Sequence, residues 1–190
     1  MYYPKLIGTK CYLSVVNPED YKRYTTWVND LEVIVGLGLA HRVMTESVEK
    51  EILEKLSKSE YNFSIIDKKT HVVIGNVGMP HLDFINQCAE VGIFIGDKNY
   101  WHNGYGQEAL NLILDFGFNI LNLYNIRLGV FEFNKQALSC YQKIGFKEVG
   151  RIRGARKIAG ERYDLIYMDM IAREYESIYV KSIIEKKLKK

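Results

Sequence analysis

Residues 89–121, AEVGIFIGDKNYWHNGYGQEALNLILDFGFNIL, constrain the fold more than any other stretch of this chain. Val91, Ile93 and Ile95 alternate with Glu90, Gly92, Phe94 and Gly96, which predicts a strand over 89–96. From Gln107 onward Leu110, Ile113, Leu114, Gly117 and Leu121 recur at helical spacing, widened by Ala109, Phe116 and Ile120, and predict a well-buried amphipathic helix. Between them lies Asn103-Gly104-Tyr105-Gly106. Its glycines let the backbone turn N–H groups toward a common point, just where the unbonded first amides of a helix project. Such a bend attracts an anion. A helix entry that uses glycine only to turn the chain fits the same residues, so the neighbours must decide.

Residues 126–146, IRLGVFEFNKQALSCYQKIGF, read as a strand, an N-cap at Asn134, a short helix and a stop at Gly145. Asn134, Ala137 and Tyr141 lie about one and two turns apart and share a face. Taken alone, Tyr141 also suits an aromatic packed in a helix–sheet seam. The two strings together, however, resemble the GNAT superfamily of N-acetyltransferases. YWHNGYGQEAL is similar to its acyl-CoA pyrophosphate loop, Q/R-x-x-G-x-G/A, and residues 134–146 match its N-x-x-A-x-x-x-Y-x-K-x-G-F pattern without a gap. Trp101 stands where the commonest pattern has Gln or Arg. That departure is shared by the branch that acetylates polyamines and the N-termini (alanine or serine) of ribosomal proteins. WVNDLEV resembles a segment of the same branch, and GERYDLIYMDMI its final strand, so the likeness runs over about residues 10–171.

With 190 residues, 47% apolar and 26% charged, the chain has material for one core. A net charge of +3 is too small to argue for nucleic acid. No run approaches the roughly 18 to 20 apolar residues that span a bilayer, and no signal-like start is present, so a soluble, cytoplasmic protein without membrane contact is expected. Cys11, Cys88 and Cys140 form neither a disulfide framework nor a metal-ligand spacing, and no metal is expected.

Elsewhere, strands are expected over 10–16, 61–67, 72–82, 146–152 and 162–171, and helices over about 19–29 and from a Thr45 cap to about 56. A loop carrying Gly36, Gly38, His41 and Arg42 precedes the second helix. The tail has helical character and ends in EKKLKK. Lys181, Lys186, Lys187, Lys189 and Lys190 suit a solvated helix C-terminus, and no nucleic-acid role is assigned to them. The expected architecture is thus an α/β GNAT domain over 1–172 and a basic helical extension over 173–190. Its sheet is mixed, mainly antiparallel and seven-stranded, with helices on both faces. Edge-strand pairing into a homodimer is common in similar proteins.

The resemblance implies transfer of acetyl from acetyl-CoA to a primary amine. Polyamines, protein N-terminal amines, aminoglycosides and amino sugars are all acceptors in similar proteins. The donor's diphosphate is expected on the amides of Asn103, Gly104, Tyr105, Gly106 and Gln107. Its pantetheine is expected along the backbone of Ile93, Phe94 and Ile95 and beside Asn134, Ala137 and Tyr141. A lysine-like amine has a pKa near 10 and must lose a proton; Glu90 or ordered water is the candidate base. Glu90 paired to a surface cation is the bland alternative. The N–H of Phe94 is a candidate oxyanion donor. The departing thiolate, whose parent thiol has a pKa near 8.5, takes a proton from Tyr141. His81 and His102 are rivals for proton transfer, and Asp30, Glu32 and Glu90 suit a cationic acceptor without selecting one. An acyl-CoA-binding module without catalysis is the reading from another class.

Overall fold

The computed structural model describes residues 1–188, apart from the side chain of Ser182. In β2 (Cys11–Val15), Cys11 and Leu13 turn to one side and Tyr12 to the other, and all three are buried. A strand buried on both faces requires a layer on each. On one face α1 (Tyr21–Val28) and α3 (Glu46–Ser57) pack Tyr24, Trp27 and Leu53 against Tyr12, Ile66 and Val73. On the other, α4 (Tyr105–Asn119) lays Leu110, Ile113 and Leu114 over Leu13, Phe63 and Ile65, with α5 (Lys135–Ile144) beside it. Between α1 and α3 a short helix, α2 (Leu31–Ile34), and a 3-10 turn, Val35–Leu37, occupy part of what the sequence suggested was loop.

Among the described residues nine strands form two sheets. One runs β1 (Pro4–Ile7), β2, β3 (Asn62–Asp67), β4 (Val73–Gly78), β6 (Gly92–Ile95), antiparallel throughout. The other runs β5 (Cys88–Glu90), β7 (Asn125–Phe131), β9 (Glu161–Ile171), β8 (Lys147–Ile158), with only β5 and β7 parallel. The mixed, mainly antiparallel architecture agrees with expectation, but the single seven-stranded sheet does not.

The cause lies at Val91. The strand expected over 89–96 is two strands: Val91 N–H donates to Arg127 O on β7 (2.8 Å), whereas Gly92 already pairs with Gly78 on β4. The chain changes partner here without changing its alternation. β6 therefore stays with β4, β7 leaves with β9, and the two sheets part between β6 and β7.

The C-terminal segment is docked rather than free. Asp115, fully buried on α4, accepts hydrogen bonds from Ser177 Oγ (2.6 Å) and from the N–H groups of Ile178 (3.0 Å), Tyr179 (2.6 Å) and Val180 (2.9 Å). A carboxylate there satisfies the open amides and faces the positive end of α6 (Val180–Leu188). Tyr175 O–H donates to Asn111 O (2.9 Å), and Val180 joins the core. Lys181, Lys186 and Lys187 are exposed on α6; Lys189 and Lys190 lie outside the described residues. No helix among the described residues is long and apolar enough to cross a membrane.

Candidate active site

Gly104 caps α4 with φ +81°, a left-handed conformation that a side chain disfavours. The first bond into the helix is Glu108 N–H to Gly104 O (3.0 Å). Among the described residues the N–H groups of Gly104, Tyr105, Gly106 and Gln107 have no acceptor, and all four residues line one groove of about 650 Å³. The ammonium of Lys10 lies beside them, donating to Asn103 O (2.6 Å). Unbonded amides, a helix N-terminus and a cation make this an anion site. Asn103 is not part of the lining, and its side-chain amide donates to Asn99 O (3.2 Å).

Sequence reasoning missed the residue that braces this bend. Glu108 is buried, and its carboxylate accepts from the N–H groups of Thr9, Lys10 and Cys11 (each 2.8 Å) and from the Thr9 hydroxyl. Burial pushes its pKa up, but these donors outweigh burial and hold the carboxyl down at about 2. The first turn of α4 is thereby tied to the turn between β1 and β2. The acidic residue in the helix's first turn was the available signal; its partners lie more than 90 positions away.

The groove continues into the gap between β6 and β7. Gly96 N–H donates to Ile74 O (2.9 Å), and Asn76 pairs with Phe94 in the same register. Antiparallel alternation then turns the N–H and C=O of Phe94 toward β4 and those of Ile93 and Ile95 toward the gap. This corrects the expected oxyanion donor. Phe94 N–H is committed to the sheet, and its ring packs edge-on against Tyr24 and Trp27. The groups available in the gap are the N–H of Ile93 and Ile95 and the C=O of Ile93. The C=O of Ile95 is taken by Trp101 Nε1–H (2.8 Å), a structural use for the tryptophan that replaces Gln or Arg in the loop pattern.

Across the gap stands α5. Asn134 caps it, its Oδ1 accepting from Ala137 N–H (3.1 Å), while its amide nitrogen approaches Gly36 so closely that a Cβ there would lie 2.6 Å from it. Ala137 and Tyr141 line the same groove. The Tyr141 ring meets Phe146 edge-on, and its hydroxyl makes no hydrogen bond to another described residue. Burial raises the phenol's pKa, so it remains protonated through neutral pH.

Glu90 is not brought to this place. It lies outside the groove lining, with its carboxylate 3.9 Å from His81 Nδ1, because the break at Val91 leaves Glu90 on β5 beside Arg127. Glu90 thus stands apart from the groove residues with which it was expected, beside His81. His81 goes with it, whereas exposed His102 lines the groove at the loop. The end of the groove away from α4 is formed by Glu32, Val33, Val35 and Leu37 on one side and Phe131 and Phe133 on the other. No three His, Cys, Asp or Glu among the described residues are grouped to hold a metal ion.

A sheet split beside a glycine-capped helix, with a tyrosine-bearing helix across the gap, defines a family arrangement, and the comparisons agree. Residues 11–147 match the model of the acetyltransferase (GNAT) domain, and the chain belongs to that family. It is 34% identical over 113 residues to an uncharacterized N-acetyltransferase, p20, of Bacillus licheniformis, covering 60% of this chain and 63% of the relative. It is 31% identical over 101 residues to spermidine N(1)-acetyltransferase of Escherichia coli, covering 53% and 54%. The chain thus spans less than two thirds of either relative. In fold it is similar to spermidine N-acetyltransferase from Vibrio cholerae, solved in complex with CoA and spermine, with a TM-score of 0.79 at 23% identity over 88% of this chain and 99% of that one.

Proposed function

We propose that the protein transfers an acetyl group from acetyl-CoA to a primary amine by direct attack. The observation that carries this reading is a single groove in which four unbonded amides of the α4 start, the open edge of β6 and the Tyr141 ring follow one another. The diphosphate of the donor sits on the Gly104–Gln107 amides, and its amide-rich pantetheine adds to Ile93 and Ile95 as an extra strand. Ala137, small and groove-facing, leaves room beside it.

The amine attacks in its neutral form. Glu32 is the one carboxylate lining the groove among the described residues, and Lys98 holds it at 2.8 Å, so both protons the nitrogen sheds, one before attack and one as the N–C bond forms, pass to water rather than to a free carboxylate. As the carbonyl oxygen gains charge, a gap-facing N–H of β6 stabilises it. The C–S bond then breaks and Tyr141 protonates the thiolate, regaining its proton from solvent. No covalent enzyme intermediate is needed.

The test is acetyl-CoA-dependent release of free thiol across a panel of primary amines. Turnover with at least one amine, reduced in Tyr141→Phe, is the expected result. Tight acetyl-CoA binding without turnover on any amine would replace this reading with a donor-binding module.

A further inference from the structure

We propose, on the reading that acetyl is moved to a primary amine here, that Lys98 sets the class of acceptor. Its ammonium engages Glu32, the one carboxylate lining the groove among the described residues and the place where a polyamine's second cation would pair, and so leaves this end fitted to a primary amine on an apolar body. A polyamine that attacks through one neutral nitrogen still carries at least one ammonium at neutral pH. That charge is favoured by a carboxylate within reach.

Glu32 is the acid that lines this end of the groove, and Asp30 and Lys98 lie beside it outside the lining, with Lys98 Nζ 2.7 Å from Asp30 Oδ2 and 2.8 Å from Glu32 Oε2. Asp30 caps α2, its Oδ1 accepting from Glu32 N–H (3.0 Å). Its hydrogen bond from Lys98 is the main influence holding the Asp30 pKa down, and the two acids push Lys98 up to about 12. The pair is therefore closed by a cation that does not titrate near neutrality. Being tethered to the chain, it competes with any free ammonium at high effective concentration.

Among the described residues no acid on the opposite side lines the groove. Arg156 lies over the Phe131 ring (6.0 Å) and 3.4 Å from His41 Nδ1, adding positive charge. Glu132 and Asp164 spend oxygens on backbone, accepting from Asp164 N–H (2.8 Å) and Gly154 N–H (2.9 Å). Beside Asn134 and Gln136, the lining here is apolar. Phe131 and Phe133 stack at 5.5 Å with planes 4° apart, facing Val33, Val35 and Leu37. Neutralisation of Glu32 by Lys98 and attraction by stacked rings act together to select against a polyamine.

The experiment compares kcat/KM for 2-phenylethylamine and spermidine in wild type, Lys98→Met and Lys98→Arg. Wild type favours 2-phenylethylamine by roughly tenfold or more. In Lys98→Met the spermidine to 2-phenylethylamine ratio rises roughly fivefold, the scale of an exposed ion pair made available to substrate, while Lys98→Arg keeps the wild-type ratio. Spermidine preferred by wild type, or an unchanged or falling ratio in Lys98→Met, overturns the proposal and leaves acetyl transfer standing. No turnover with any amine overturns both.

Discussion

Replacing Glu108 with Gln keeps the shape of a buried side chain and removes its charge. The carboxylate accepts three N–H groups and a hydroxyl from Thr9, Lys10 and Cys11, and these hold its pKa at about 2 against an ordinary 4.5. A shift of that size corresponds to roughly 3 kcal/mol of folding stability. Gln offers one acceptor oxygen to those donors and turns its own N–H₂ against the rest, so most of that contribution is lost. For a chain of this length the fall in Tm is about 6–12 °C. The sign of the pH dependence follows from the direction of the shift. A lowered folded-state pKa gives stability that is complete above pH 4.5 and is lost as pH falls toward 2. Urea unfolding of wild type and Glu108→Gln at pH 7, 4 and 3 therefore shows a gap that narrows with acidification. A gap below about 1 kcal/mol at pH 7, or one unchanged at pH 3, would refute the bracing role.

Three further outcomes follow from the same geometry. Tyr141→Phe lowers kcat about 100-fold with KM for acetyl-CoA changed little, the split expected of a group that acts on the leaving thiolate; a kcat within threefold of wild type removes Tyr141 as the acid. Gly104→Ala forces a side chain to φ +81° and costs about 1 kcal/mol in thermal unfolding while raising KM for acetyl-CoA, and an unchanged KM would detach the bend from donor binding. Asp115→Asn removes the buried charge that caps α6, so hydrogen exchange at Ile178, Tyr179 and Val180 accelerates; protection equal to wild type would mean that the segment is held otherwise.

The site was legible where chemistry is local. Gly104 before a helical stripe, and Asn134 capping a helix with Tyr141 two turns on, are short-range patterns whose physics needs no partner. The break at Val91 was not legible, because side-chain alternation continues while the backbone exchanges β4 for β7. The same blindness placed Phe94 N–H in the gap: a strand's sequence tells which face a side chain takes but not which neighbour its amide meets. Glu90 adjoins Val91 in the sequence, and the change of partner there carried it out of the groove. Glu108 and Asp115 looked like polar residues on a helix. Only tertiary structure brings their donors from the first turn of the fold and from its last helix.

The central claim is that the donor's diphosphate rests on main-chain amides at the start of α4 and its pantetheine on the edge of β6. Titrating ¹⁵N-labelled protein with CoA tests it amide by amide. The largest chemical-shift changes are expected at Gly104, Tyr105, Gly106 and Gln107, with a second group at Ile93 and Ile95. Saturable binding that leaves these six amides unmoved would contradict the account.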